Sequence, residues 1–100
     1  MAVVKDPEGN EISTLRAMVD FNDLKVLEVG CGDGRLTWKY ARDAAHVTGI
    51  DPAGEDIQKA LANSPENLKG RVELLETSIE DFVVRQSERR FDLALFSWSL

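Results

Sequence analysis

The chain has 100 residues, which fits one domain, because compact domains usually contain about 100–150 residues. Hydrophobic residues make up 43% and charged residues 30% of the sequence, and this balance excludes a disordered tail. With 12 Lys and Arg against 18 Asp and Glu, the net charge is −6, which argues against a nucleic-acid partner, since such partners are bound mainly through Lys and Arg.

The first predicted segment is a flexible lead-in over residues 1–9, which are polar and include Pro7 and Gly9. Residues 10–100 form the predicted domain. Its first element is a helix that begins near Asn10, because apolar residues recur there at helical spacing.

Strands and helices alternate along the rest of the chain. Short apolar or β-branched runs predict four strands, over 25–29, 47–50, 71–76 and 91–96. Helical spacing predicts three helices between them, over roughly 36–44, 57–61 and 79–88, and the last is expected to bury Phe82, Val83 and Gln86. This alternation predicts βαβ units, and therefore a parallel sheet with helices on both faces.

The first of these strands runs into a glycine-rich turn, Gly30-Cys31-Gly32-Asp33-Gly34, and then into a helix. Such a turn can hold a ligand, because glycines allow unusual backbone dihedral angles and the start of a helix presents free N–H groups. Without a ligand the same residues would form only a tight turn, in which Cys31 is a small side chain that fills space.

The residues around the turn indicate which ligand it holds. A dinucleotide-binding loop reads G-x-G-x-x-G, but here Arg35 stands at the third glycine position. Glu28 before the turn and Asp33 within it would repel a pyrophosphate and attract a cationic ligand. The lysine that a P-loop requires is missing as well.

Residues 26–34, VLEVGCGDG, resemble the first motif of the class I S-adenosylmethionine-dependent methyltransferases, E-x-G-x-G-x-G. The resemblance extends over residues 12–100. It implies an α/β, Rossmann-like three-layer sandwich with a parallel sheet, in which this chain supplies 3-2-1-4 of the family's strand order 3-2-1-4-5-7-6. It also implies S-adenosylmethionine as the cofactor, whose sulfonium cation and lack of phosphate agree with the acidic surroundings of the turn.

The resemblance also implies where the cofactor is held. Asp51 follows the second strand and would accept hydrogen bonds from both ribose hydroxyls, and Pro52 would form an apolar wall against the adenine. Ser78 stands where the family often has an Asp for the adenine amino group. The alternative for both Asp51 and Ser78 is a cap on the following helix. The expected cofactor-binding residues are Glu28, Gly30, Cys31, Gly32, Asp33, Gly34, Asp51, Pro52, Ser78, Ile79 and Ser97.

The function that this resemblance implies is methyl transfer to a small-molecule acceptor by direct displacement. The residues indicate no catalytic base. They indicate no metal site either, because Cys31 and His46 are the only Cys and His and cannot build a Cys/His zinc site. Two alternatives stay open: a nicotinamide-binding Rossmann module, and a non-catalytic fragment that binds the cofactor only.

The expected location is the cytoplasm, without a membrane partner. No apolar stretch approaches the roughly 20 residues that span a bilayer, and no secretory leader opens the chain. The single Cys31 cannot form an internal disulfide.

The end of the chain predicts how it associates. The sequence stops just after the fourth strand, which suggests a fold truncated there or completed by another chain. The outer edge of that strand, without Pro or Lys, is expected to be bare and to pair with a second copy in a homodimer. The alternatives are a dimer through a swapped segment and a poorly soluble chain. Nearby, Arg85, Arg89 and Arg90 are expected to form a solvated face, and Trp98 is expected to pack.

Overall fold

The computed structural model describes residues 19–97 and the backbone of residues 2–5. Its strands are β1 (Ala2–Lys5), β2 (Lys25–Val29), β3 (His46–Asp51), β4 (Val72–Glu76) and β5 (Leu93–Phe96). Its helices are α1 (Thr37–Tyr40), α2 (Gly54–Ala62) and α3 (Ile79–Arg85), with a 3-10 helix at Glu66–Leu68. Within these described residues, no helix is long and apolar enough to cross a membrane.

The five strands form one parallel sheet in the order β1-β5-β2-β3-β4. The predicted order of the four expected strands, 3-2-1-4, is therefore confirmed, with β2 as the first of them. Strand β2 lies between β3 and β5, and its last four residues, Val26–Val29, are all buried. A strand that is covered on both faces needs such a continuous run, because neither face meets water.

Two separate apolar clusters cover the two faces of the sheet. Successive side chains of a strand point to opposite faces, so Val26 belongs to one cluster and Leu27 to the other. The first cluster includes Tyr40 of α1, whose ring stacks on Phe21 with centroids 4.5 Å apart. The second includes Phe82 of α3. Helices therefore pack on both faces, which confirms the predicted three-layer α/β arrangement.

The prediction of a flexible lead-in over residues 1–9 is wrong at residues 2–5. Strand β1 pairs in parallel with β5, with Ala2 opposite Leu93 and Lys5 opposite Phe96. The expected bare edge of β5 is wrong for the same reason, since β1 supplies the hydrogen-bonding partner that the prediction lacked. The helix predicted near Asn10 and the packing of Trp98 lie outside the described residues.

Two predicted helices are shorter than expected. Helix α1 covers only Thr37–Tyr40, and turns replace the rest of the predicted span, although Ala44 is still buried. Helix α3 ends at Arg85, Val83 is 56% exposed and Gln86 is exposed, because this helix turns Phe82 and, in part, Ile79 toward the core. The predicted burial of Val83 and Gln86 is therefore wrong.

Candidate functional site

The site lies at the carboxyl ends of the strands, where the turns after β2, β3 and β4 converge beside Ser97, the residue after β5. This is the edge at which open α/β sheets hold their ligands. Two cavities open there, and both are lined by Gly30, Gly32 and Asp56. The smaller, here called the polar cavity, has about 190 Å³ and is also lined by Glu28, Cys31, Asp33, Arg35, Leu36 and Ser97. The larger, here called the apolar cavity, has about 450 Å³ and is also lined by Val29, Ile50, Asp51, Pro52, Thr77, Ser78, Ile79, Glu80 and Phe96.

Gly32, like Gly30, lines both cavities. Its φ of 56° lies in the left-handed region, which residues with a side chain rarely adopt. A Cβ built at this position meets no atom within 4 Å, so the space beside the backbone is open. The turn therefore leaves room for a ligand to approach its backbone closely.

Gly34 has a different role from the one predicted. It is not among the lining residues of either cavity. A Cβ at Gly34 would lie 2.7 Å from Nε1 of Trp38 and 3.2 Å from Ala60. This glycine is needed for close packing of the turn against α1 and α2, whereas the structure places the other ten predicted residues around the two cavities.

Asp51 ties the glycine turn to the end of β3. Its Oδ2 accepts the backbone N–H of Gly32 at 3.0 Å, and its Oδ1 accepts the backbone N–H of Ala53 at 2.8 Å. The N-cap of α2 is Ala53, so the alternative that Asp51 caps this helix is wrong. Each carboxylate oxygen has two lone pairs, and one on each remains for a further donor.

Glu28 is fully buried, and three hydroxyl groups surround its carboxyl group. Thr37 and Tyr40 donate to Oε1 at 2.7 and 2.6 Å, and Ser97 donates to Oε2. Burial raises the pKa of Glu28 above its ordinary value, and the charge of Asp51 adds to this effect. The three hydroxyl donors oppose the rise, because they favour the ionised carboxylate.

The roles of Thr37 and Tyr40 were missed by sequence reasoning. Both lie on the apolar face of a predicted helix. The methyl group of Thr37 and the ring of Tyr40 already account for their helical spacing as core residues, so the pattern does not reveal that their hydroxyls are used. The available signal was the combination of a strand acid with two hydroxyl residues in the next helix. The pKa of the buried Tyr40 is also raised, first by burial and then by the neighbouring Glu28.

Asp33 and Arg35 form an ion pair at the mouth of the polar cavity. Nε of Arg35 lies 3.0 Å from Oδ2 of Asp33, and the backbone N–H of Arg35 donates to Oδ1 at 3.3 Å. Slight burial works against ionisation of Asp33, but the hydrogen bonds and charge of Arg35 outweigh it and lower the pKa. The negative charge of Asp33 is therefore partly offset by its neighbour.

Cys31 is buried in the turn and is poorly suited to nucleophilic chemistry. Burial raises the pKa of its thiol far above the usual value, and the carboxylates of Glu28 and Asp51 add to the rise. Since the thiolate is the reactive form, this side chain acts as a small filler of the turn. Among the described residues there is also no group of three or more His, Cys, Asp or Glu that could hold a metal ion.

Ser78 lines the apolar cavity but its hydroxyl is already engaged. It is the N-cap of α3, and its Oγ accepts the backbone N–H of Asp81 at 3.1 Å. The cap alternative is therefore confirmed for Ser78. Asp56, which stands where the two cavities meet, was missed, although an acid in the first turn of the helix after Asp51 was a visible signal.

Comparison with known proteins finds methyltransferases at the level of the family and of individual sequences. A family model described as a methyltransferase domain matches residues 26–100. The ubiquinone biosynthesis O-methyltransferase of Actinobacillus pleuropneumoniae serotype 5b is 44% identical over 63 residues, which cover 63% of this chain and 26% of that protein. The human mitochondrial ubiquinone biosynthesis O-methyltransferase is 37% identical over 76 residues, which cover 74% of this chain and 20% of that protein.

A solved structure shows a similar arrangement of the chain. The S-adenosylmethionine-dependent methyltransferase of Thiobacillus denitrificans, solved in complex with S-adenosyl-L-homocysteine, superposes with a TM-score of 0.68 at 26% identity. The match covers 91% of this chain and 36% of that one. The present chain spans only about a quarter of the length of the two curated relatives described above.

Proposed function

Because the chain belongs to the methyltransferase-domain family, whose model matches residues 26–100, we propose that it binds S-adenosylmethionine and serves methyl transfer to a small-molecule acceptor. The single observation that supports this most directly is the pair of adjoining cavities around Gly32. Acids line both cavities, and only the larger one adds a group of apolar side chains, Val29, Ile50, Pro52, Ile79 and Phe96. This arrangement suits a ligand with a cationic amino-acid end and a nucleoside end.

The residues present fit this cofactor. In the apolar cavity, Pro52 and Ile79 would lie against the adenine, and the free lone pairs of Asp51 would accept the ribose hydroxyls. In the polar cavity, Glu28 would attract the ammonium and sulfonium charges, since Oε2 has a lone pair beyond the one that Ser97 uses. The open space at Gly32 would admit the ligand to the backbone of the turn.

The mechanism follows from what these residues hold in place. When bound, the cofactor supplies a methyl group that its sulfonium has already activated. The chain's contribution is then orientation, which can lower a barrier by about 7–11 kcal/mol when donor and acceptor are held in reactive geometry. The tie between Asp51 and Gly32 fixes the turn relative to β3, so both ends of the ligand would be positioned by one rigid unit.

The acceptor is proposed to be a small molecule with a nucleophilic oxygen. This part rests on the names of the relatives, which are ubiquinone biosynthesis O-methyltransferases. A cytoplasmic location and the lack of a nucleic-acid partner stay predictions from the sequence. Homodimerisation through β5 also stays a prediction, although its premise of a bare edge is wrong.

The test is a calorimetric titration of the purified chain with S-adenosylhomocysteine and, separately, with NAD. We expect binding of the first and none of the second. Gly32→Ala should abolish this binding, because its Cβ would enter the open space, while the left-handed φ would cost about 1–2 kcal/mol of stability.

Gly70→Ala is the matched control. A Cβ at Gly70 also meets no atom within 4 Å, but this glycine lies before β4 and away from both cavities. Its binding should equal that of the unchanged chain. Binding of NAD without S-adenosylhomocysteine, or full binding by Gly32→Ala, would contradict the proposal.

A further inference from the structure

A further pocket opens at the opposite end of the strands from these two cavities. It has about 290 Å³ and is lined by Lys25, His46, Arg89, Arg90 and Phe91, and it is called here the basic pocket. Lys25 and His46 are the first residues of β2 and β3. The glycine turn follows the last residue of β2, and five strand residues span about 17 Å. The basic pocket is therefore separate from the candidate cofactor site.

Positive charge gathers in this pocket although the chain carries a net charge of −6. Within residues 19–97, neither Lys25 nor Arg90 forms an ion pair with a carboxylate. Two acids lie nearby: Glu73 pairs with Arg89 at 2.9 Å, and Asp92 accepts the backbone N–H of Lys25 at 2.8 Å. The three cations still outnumber these two carboxylates, and the His46 ring supplies a further N–H donor.

Arg89 is held rigidly at the wall of the pocket. Its Nη2 donates to Oγ1 of the buried Thr48 at 3.0 Å and pairs with Glu73, and its guanidinium lies 5.8 and 5.6 Å from the ring centroids of Phe82 and Phe91. The expectation that Arg89 belongs to a solvated face is therefore wrong. A guanidinium has five N–H donors, and those on Nε and Nη1 have no partner among the described residues.

Arg90 lies beside it and is exposed. Its Nη1 donates to the backbone carbonyls of Ser87 and Arg89, both at 3.3 Å. Both acceptors are neutral carbonyl groups, so the positive charge of Arg90 is not neutralised and remains available to attract an anion. Because the guanidinium of Arg89 is already held by its neighbours, a ligand would lose less side-chain entropy there than at a freely moving side chain.

We propose that the basic pocket binds the phosphate group of a small phosphorylated molecule. Guanidinium groups match the planar, multidentate geometry of phosphate oxygens, and the Lys25 ammonium adds a point charge. The volume of about 290 Å³ exceeds the roughly 30 Å³ that one water occupies, so it leaves room for an organic group against Phe91. The ligand would be held away from the transfer site, as an effector or an anchor.

The test is a titration of the isotope-labelled chain with inorganic phosphate, followed by NMR at constant ionic strength. Saturable shifts are expected at residues 25, 46 and 89–91, without shifts at the glycine turn, residues 30–34. Arg90→Gln and Lys25→Gln should each weaken the affinity by about three- to tenfold, because each removes one charge-assisted contact. Lys69→Gln is the control: Lys69 pairs with Glu66 at 2.9 Å outside this pocket, and its loss should change nothing.

A second measurement distinguishes two sources of the phosphate. Sedimentation with vesicles of phosphatidylcholine, with and without phosphatidic acid, asks whether the group belongs to a lipid. Vesicle binding that Arg90→Gln removes would assign the pocket to a lipid headgroup, and phosphate binding without vesicle binding would assign it to a soluble ester. The proposal is overturned if no saturable shift occurs, or if Lys69→Gln weakens phosphate binding as much as Arg90→Gln. Neither measurement requires S-adenosylmethionine, so this inference stands independently of the proposed function.

Discussion

At the scale of single residues, Glu28 places an ionisable group in the middle of the sheet. Burial raises its pKa, and the three hydroxyls of Thr37, Tyr40 and Ser97 limit that rise. In the unfolded chain, Glu28 ionises near its ordinary value of 4.5, whereas in the folded chain it ionises only at higher pH. Its favourable contribution to stability is therefore complete below pH 4.5 and is lost as the pH rises through the raised pKa.

The loss of stability with rising pH predicts how Glu28→Gln behaves. The variant has no carboxyl group to ionise, so its free energy of unfolding relative to the unchanged chain should increase as the pH rises above 4.5. Urea denaturation of both proteins at several values between pH 5 and 8 measures this difference. A difference that stays constant across the whole range would contradict the raised pKa.

Tyr40→Phe serves as a companion variant. It removes one hydroxyl donor from Oε1 of Glu28 but keeps the ring that stacks on Phe21. With one donor fewer, the pKa of Glu28 should rise further, and the loss of stability with rising pH should continue to higher pH. The removed hydrogen bond itself should cost roughly 1.5–3 kcal/mol where the carboxylate is ionised.

At the scale of elements, helix α3 depends on its first residues. It has only seven residues, too few for an isolated helix to be stable in water, and Ser78 is its N-cap. Ser78→Ala should therefore cost about 1 kcal/mol of stability. It should leave S-adenosylhomocysteine affinity nearly unchanged, because the hydroxyl is already bonded to the backbone of Asp81.

Thermal or urea unfolding, together with calorimetry, distinguishes the two possible roles of the Ser78 hydroxyl, which are capping α3 and contacting the ligand. Ser87→Ala, at an exposed position beyond the end of α3, is the control and should change neither stability nor affinity. A Ser78→Ala variant that kept its stability but lost affinity would show that the hydroxyl serves the ligand instead of the helix.

The elements also show what could be predicted from the sequence. Strand β2 was predictable because its apolar run ends abruptly at Gly30, and the order of the inner strands followed from the family resemblance. The length of α1 could not be predicted. Helical spacing at Tyr40 and Ala44 shows only that both residues are buried on one face, and this does not require helical backbone hydrogen bonds as far as Ala44. Val83 shows the same limit, since an apolar residue on a short helix is buried only where the sheet lies beneath it.

The residues that line the two cavities were more predictable than the hydrogen bonds that surround Glu28. Residues in the turns after β2, β3 and β4 come directly after strands, and parallel strands bring such positions to one edge. The contacts of Glu28 with Thr37 and Tyr40 depend instead on the angle at which α1 packs on the sheet. Local sequence patterns carry no information about that angle.

At the scale of the whole molecule, β1 completes the sheet beside β5. Removal of residues 1–5 would leave the outer edge of β5 unpaired, and an unpaired edge is a template for another chain. The shortened chain should therefore associate with itself as its concentration rises, more strongly than the full chain. Light scattering over a concentration range, with circular dichroism to confirm folding, tests this prediction. Equal sizes for both chains at every concentration would contradict it.

The pairing of β1 with β5 has a consequence for the order of events during synthesis. Ala2 leaves the ribosome before its partner Leu93, which follows about 90 residues later, and at roughly 5–20 residues per second this is a delay of about 5–18 seconds. The pairing also closes a long loop, so it should form late in folding and open early. Amide protons of β1 should accordingly exchange with solvent faster than those of β2, and the edge of the sheet would be the last part of the molecule to become protected.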